Sequence, residues 1–149
     1  MRRPVSIWLL VAALVVLALG GLAGAYGFLS DPLGSGMGMA DQLERLPVPD
    51  YTLPGIFLLV VMCIFPLVLV YGLLVRPRWK SLDPLVVWSN EHWAWVGSLV
   101  LALGLALWLA IQAFFIGFSA PIQWFTAFLG LSILVTTLVS PTREYYRRP

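Results

Sequence analysis

The sequence predicts an all-α polytopic membrane protein, a four-transmembrane-helix bundle in which residues 1–149 form a single membrane domain. Three observations predict it. Hydrophobic residues make up 60% and charged residues 11% of the chain, whereas a soluble domain carries roughly 25% charged residues. Four runs, at 5–29, 53–75, 93–118 and 121–139, contain no Asp, Glu, Lys or Arg and are each long enough to cross a bilayer core about 30 Å thick. Every charge falls in a terminus or a connection, as expected if a charge at a helix centre costs about 2.5 to 3.5 kcal/mol. Backbone groups in lipid must be satisfied within the segment, so runs this long are helices rather than barrel strands.

The first span, 5–29, follows Arg2 and Arg3. Its start and Ala23-Gly24-Ala25 have the outline of a secretory signal cleaved after Ala25. The uncharged run continues to Leu29, however, so we expect a retained helix. The connection 30–50 is acidic, and Met39, Leu43 and Leu46 are spaced as the apolar stripe of a short helix lying on the bundle. In the second span, 53–75, Thr52 is placed to cap, and Pro54 and Gly55 fall in the first turn. Pro66 removes a hydrogen bond to the Met62 carbonyl and predicts a kink. After the connection 76–91, Asn90 is placed to cap the third span, 93–118. Pro121 opens the fourth, 121–139, and Pro141 is expected to close it before a tail at 140–149.

Of the nine Lys and Arg, all but Arg45 lie at the termini or in 76–91. The positive-inside rule therefore predicts cytoplasmic N- and C-termini and an outer loop at 30–50. Trp8, Trp79, Trp88, Trp93, Trp95 and Trp124 fall near the predicted interfaces, as an aromatic belt should. Basic residues confined to span ends explain the charge of +2 without a nucleic-acid partner; the partner they imply is the bilayer.

Helices in lipid associate through small residues and interhelical hydrogen bonds. Gly20 and Gly24 form a small-xxx-small pair in the first span, Gly97 and Gly104 share a face of the third, and Gly130 marks the fourth. The third span, with alanines opposite its glycines, is expected to be the most enclosed, and to pair with the fourth across 117–120. Gln112 is the most polar side chain well inside a span. It could read a ligand with Trp108, Gln123 and Thr126 close by, or serve as an interhelical tie worth about 1 kcal/mol, the reading we weight more heavily.

Chemistry is sparsely represented. Cys63 is the only cysteine and His92 the only histidine. This excludes a CxxC pair, a two-histidine haem and a zinc set, so no metal or cofactor is expected. Met37 and Met39 supply two thioethers, too few soft ligands for a copper site. No titratable carboxylate lies within a span, and no nucleophile with a base can be assembled, so an enzyme is not expected.

Asp31-Pro32-Leu33-Gly34, Leu43 and Leu46, Pro49-Asp50-Tyr51-Thr52-Leu53-Pro54-Gly55, Trp108-Leu109-Ala110-Ile111-Gln112 and Phe115-Ile116-Gly117 together give a pattern over most of the chain. In this pattern the chain resembles a group of small, uncharacterised bacterial four-helix integral membrane proteins. The resemblance implies a bacterial inner (cytoplasmic) membrane and brings no activity, cofactor or site residues. Two functions stay open. The leading expectation is a non-enzymatic assembly or accessory component, a homo-oligomer or part of a membrane complex; the alternative is a small carrier or binding bundle for an uncharged or lipid-like molecule.

Overall fold

A computed structural model describes residues 2–148. Four helices in it are long and apolar enough to cross a membrane: α1 (Val5–Ser30), α2 (Thr52–Val75), α3 (Trp93–Ile116) and α4 (Pro121–Leu138). A fifth, short helix, α5 (Ser140–Tyr146), follows at once. At about 1.5 Å per residue the shortest span, α4, reaches about 27 Å, close to the thickness of a hydrocarbon core. The spans match the sequence reading to within two residues. α3 stops at Ile116 because Gly117, at φ 79°, turns the chain out of the helix.

The helices form a closed ring in chain order, α1 against α2, α2 against α3, α3 against α4 and α4 back against α1. Both described chain ends and the α2–α3 connection gather at one end, the terminal end. The long loop between α1 and α2 and the short turn between α3 and α4 lie at the other, the loop end. Ile7, Leu10, Leu14, Leu69, Leu101, Leu105 and Ile133, all essentially fully buried, fill the middle. A ring of four has no central helix. The expectation that α3 is most enclosed is accordingly corrected: the buried share is 39% for α1 and 22% for α3, lowest of the four.

At Pro66, where the sequence predicts a kink, α2 carries a π-helical turn. The proline's missing N–H opens the turn before it, Val60–Ile64, in which Phe65 N–H reaches the Val60 carbonyl, five residues back.

Three helix ends differ from the sequence reading. Thr52 does not cap α2; its own N–H donates to Asp50 Oδ1 at 2.9 Å, and Tyr51 is the residue at the boundary. The cap of α3 is His92, whose Nδ1 accepts from Ala94 N–H at 3.3 Å, and not Asn90. Pro141 starts α5 rather than closing α4, which ends where Val139 becomes extended.

The glycines divide. A Cβ on Gly24 would stand 2.9 Å from Leu58 Cδ1, one on Gly97 2.5 Å from Leu69 Cδ2, and one on Gly130 in ordinary contact with Leu105 at 3.6 Å. Gly20 and Gly104 would meet nothing within 4 Å, so neither packs against a helix of its own chain. Close approaches missing from the sequence reading include Gly21, against the Met62 backbone, Gly72, against Trp93 and Ala94, and Gly55, against Leu29 and Phe28.

Candidate functional site

At the loop end, the ring opens into an apolar cavity of about 340 Å³ between α1, α2 and α3, roofed by the long loop. The loop is held firmly. Asp31 Oδ2 accepts from Gly36 N–H at 2.8 Å, and Tyr51 N–H donates to the Pro32 carbonyl at 2.8 Å. The Tyr51 hydroxyl donates to the Met39 carbonyl at 2.8 Å, and its ring stacks on Phe28 at 4.5 Å. Burial pushes the Tyr51 phenol above its ordinary pKa, so it remains a neutral donor. Gly34, at φ 76°, lets the chain pass flat against the Tyr51 ring, where a Cβ would lie 2.7 Å from a ring carbon. The short helical turn Ala40–Arg45 forms as expected from Met39, Leu43 and Leu46, and Met39 and Leu46 face the cavity.

Below this roof the wall is built by Phe28, Phe57, Trp108, Gln112 and Phe115. Trp108 stacks on Phe57 with centroids 4.3 Å apart, fixing α3 against α2 at this level. Gln112 Oε1 takes a long 3.5 Å bond from Gln123 Nε2, and no acceptor among the described residues meets the Gln112 amide nitrogen.

The four residues singled out for ligand reading therefore separate. Trp108 and Gln112 line the cavity; Gln123 and Thr126 do not. Gln123 is buried and ties the α3–α4 turn: Oε1 accepts from Ser119 N–H at 3.0 Å and Ala120 N–H at 3.1 Å, and Nε2 donates to the Gly117 carbonyl at 2.9 Å. Thr126 bonds back to the Ile122 carbonyl of its own helix at 2.8 Å. Sequence reading missed Phe28, Phe57 and Phe115, because in an all-apolar span nothing distinguishes an aromatic facing a cavity from one facing lipid.

The terminal end is polar. Three of the last four carbonyls of α2 are answered, Gly72 by Arg76 N–H at 3.0 Å, Leu73 by the Tyr146 hydroxyl at 2.7 Å and Leu74 by Arg3 at 2.6 Å. Glu91, nearly buried, accepts from Arg143 Nε at 2.9 Å and from Ser89 Oγ at 2.6 Å. The Ser89 hydrogen bond, aided by Arg143 and Arg147, holds its carboxyl below the ordinary glutamate range against the opposing effect of burial. His92 N–H donates to the Tyr146 carbonyl at 2.8 Å, and Glu91 pairs with Arg147 in an isolated antiparallel bridge. Since His92 Nδ1 accepts from Ala94, Nε2 carries the proton and donates to the Pro77 carbonyl at 3.0 Å. Among the described residues no three His, Cys, Asp or Glu side chains converge to hold a metal ion.

Comparison with family models, curated proteins and solved structures gives no match, so the geometry itself carries the functional reading.

Proposed function

We propose that this is a non-enzymatic multi-pass protein of a bacterial cytoplasmic membrane, a small binding or carrier bundle that holds an uncharged, lipid-like molecule in the cavity under its loop. The observation that carries this reading is Gln112: one amide with an unanswered N–H in a wall that is otherwise almost wholly apolar. Such a site suits an apolar molecule with a single acceptor oxygen, a hydroxyl, ester or ketone, which the amide would fix in orientation while the aromatic walls supply contact area. The stretches Asp31–Gly34, Pro49–Gly55 and Trp108–Gly117, which carry the resemblance to bacterial four-helix proteins, also converge here. The excess of arginine at the terminal end supports a cytoplasmic placement of both chain ends and an external cavity.

The test is native mass spectrometry of the protein gently extracted from its own membranes, beside Gln112→Leu. One small hydrophobic molecule per chain, lost in the variant, is the expected outcome. Full retention by Gln112→Leu would remove the polar contact on which the reading rests.

A second reading, self-association or membership of a larger membrane complex, is favoured by Gly20 and Gly104. Both offer close approach to a partner and neither is used within the chain. The same spectrum would then show a defined oligomer or a second polypeptide, and Gly104→Leu would abolish it.

A further inference from the structure

We propose that the terminal end carries a phosphate site, built to hold the headgroup of an anionic phospholipid. Two basic segments about 70 residues apart in sequence meet there. A pocket of about 550 Å³ is lined by Arg76, Arg78, Arg147 and Arg148 together with His92 and Tyr146, and no acidic side chain contributes to the lining. The positive-inside rule explains why these arginines lie on one side of the membrane. It does not explain why they converge on one concavity.

Arg76 adds a second, independent observation. It is the only non-glycine among the described residues at positive φ, 56°, where a helix C-terminus ordinarily places glycine. A side chain kept at a strained backbone position points to a use for that side chain. Its guanidinium lies over the Tyr145 ring at 4.7 Å and the Tyr146 ring at 5.6 Å, held at the pocket rather than free to wave in solvent. Arg78 beside it is exposed and makes no hydrogen bond or ion pair with any described residue. Arg147 is partly committed to Glu91, so Arg76 and Arg78 are the principal phosphate donors.

Depth decides the class of ligand. Val75 ends the last apolar turn of α2 and Arg76 follows immediately, so the pocket stands at the level of lipid phosphates. Tyr71 and Val75 are exposed on the helix below it, where acyl chains would lie. The stacked pair Trp79 and Trp93, 4.9 Å apart, marks the same interfacial layer.

The full-length protein, reconstituted in phosphatidylcholine nanodiscs doped with phosphatidylglycerol, tests this by native mass spectrometry of the lipids it retains. Phosphatidylglycerol is expected to be retained in preference to phosphatidylcholine. Arg76→Gly and Arg78→Gln should each lower that retention about fivefold, while Lys80→Gln, a nearby charge outside the pocket, should change it little. Arg76→Gly relieves the backbone at the helix end, and Arg78→Gln breaks no internal bond, so at least one variant reports on a folded protein. Inorganic phosphate that displaces the lipid, with the same dependence on Arg76 and Arg78, would keep the phosphate site and assign it to a soluble phosphate. No preference between the two lipids, or a loss in Lys80→Gln as large as in the arginine variants, would reduce the pocket to diffuse surface charge and overturn the proposal.

Discussion

Gly21 of α1 lies directly against the backbone of Met62 in α2, so closely that a Cβ on Gly21 would stand 2.5 Å from the Met62 carbonyl oxygen. That carbonyl is the one for which Pro66 has no N–H to offer, and it falls within the π-helical turn. The proline opens the helix at the level where the glycine lets its neighbour approach, so one crossing point depends on both residues.

Backbone cannot yield as a flexible side chain can. Gly21→Ala should therefore separate α1 from α2 and cost about 1 to 3 kcal/mol. Gly20→Ala, with nothing near its Cβ, should stay within about 0.5 kcal/mol of the parent. Reversible unfolding in mixed micelles compares the two; equal effects would mean that the crossing is not where the structure puts it.

The two glutamines near the loop end should behave oppositely. Gln123→Ala removes three partly buried hydrogen bonds that hold the α3–α4 turn and should lower stability by about 1 to 3 kcal/mol. Gln112→Leu gives up only the long bond to Gln123 and should leave stability nearly unchanged while emptying the cavity of its molecule. Thermal melts and lipid extracts of both variants check the division. A strongly destabilised Gln112→Leu would make that residue a structural tie after all.

Glu91 predicts a pH dependence. Its pKa in the folded protein is depressed, first by the Ser89 hydrogen bond and then by Arg143 and Arg147. The unfolded chain therefore takes up the proton first as pH falls. Stability from this group is complete above the ordinary glutamate pKa and declines as pH drops through the lower folded value. Glu91→Gln should lower the thermal midpoint at neutral pH and flatten the acid decline. A decline of the same steepness in Glu91→Gln would place the responsible carboxylate elsewhere.

Composition and the location of charges were enough to read the four helices and their bounds to within two residues, though not their caps, because inserting a charge into lipid costs far more than any local propensity decides. Which face of each helix turns inward was not legible. Gly20 and Gly21 are neighbours in a wholly apolar run, and only the second is buried. In α2 the π-helical turn also shifts the helical phase, so spacings counted from Gly55 to Gly72 do not keep to one side. Of the candidate site, Trp108 and Gln112 were legible as an aromatic and an amide one turn apart. Tyr51, Phe28 and the loop that covers them required the folded chain.

The tail is where the sequence suggested topogenic or lipid-facing charge and interfacial tyrosines, and the structure shows a buried anchor. Tyr146 is completely buried under the end of α2, with its hydroxyl on the Leu73 carbonyl and its own carbonyl accepting from His92. Tyr146→Phe removes one buried hydrogen bond and leaves the Leu73 carbonyl without a partner, at a cost of about 1 to 3 kcal/mol. Tyr146→Ala also empties the ring's place and should cost about 3 to 5 kcal/mol. Because the ring supports Arg76 and its backbone fixes the start of α3, the alanine variant should also speed hydrogen exchange at His92 N–H, far in sequence from the substitution. Slow exchange at His92 in Tyr146→Ala would mean that the terminal end closes without its tail.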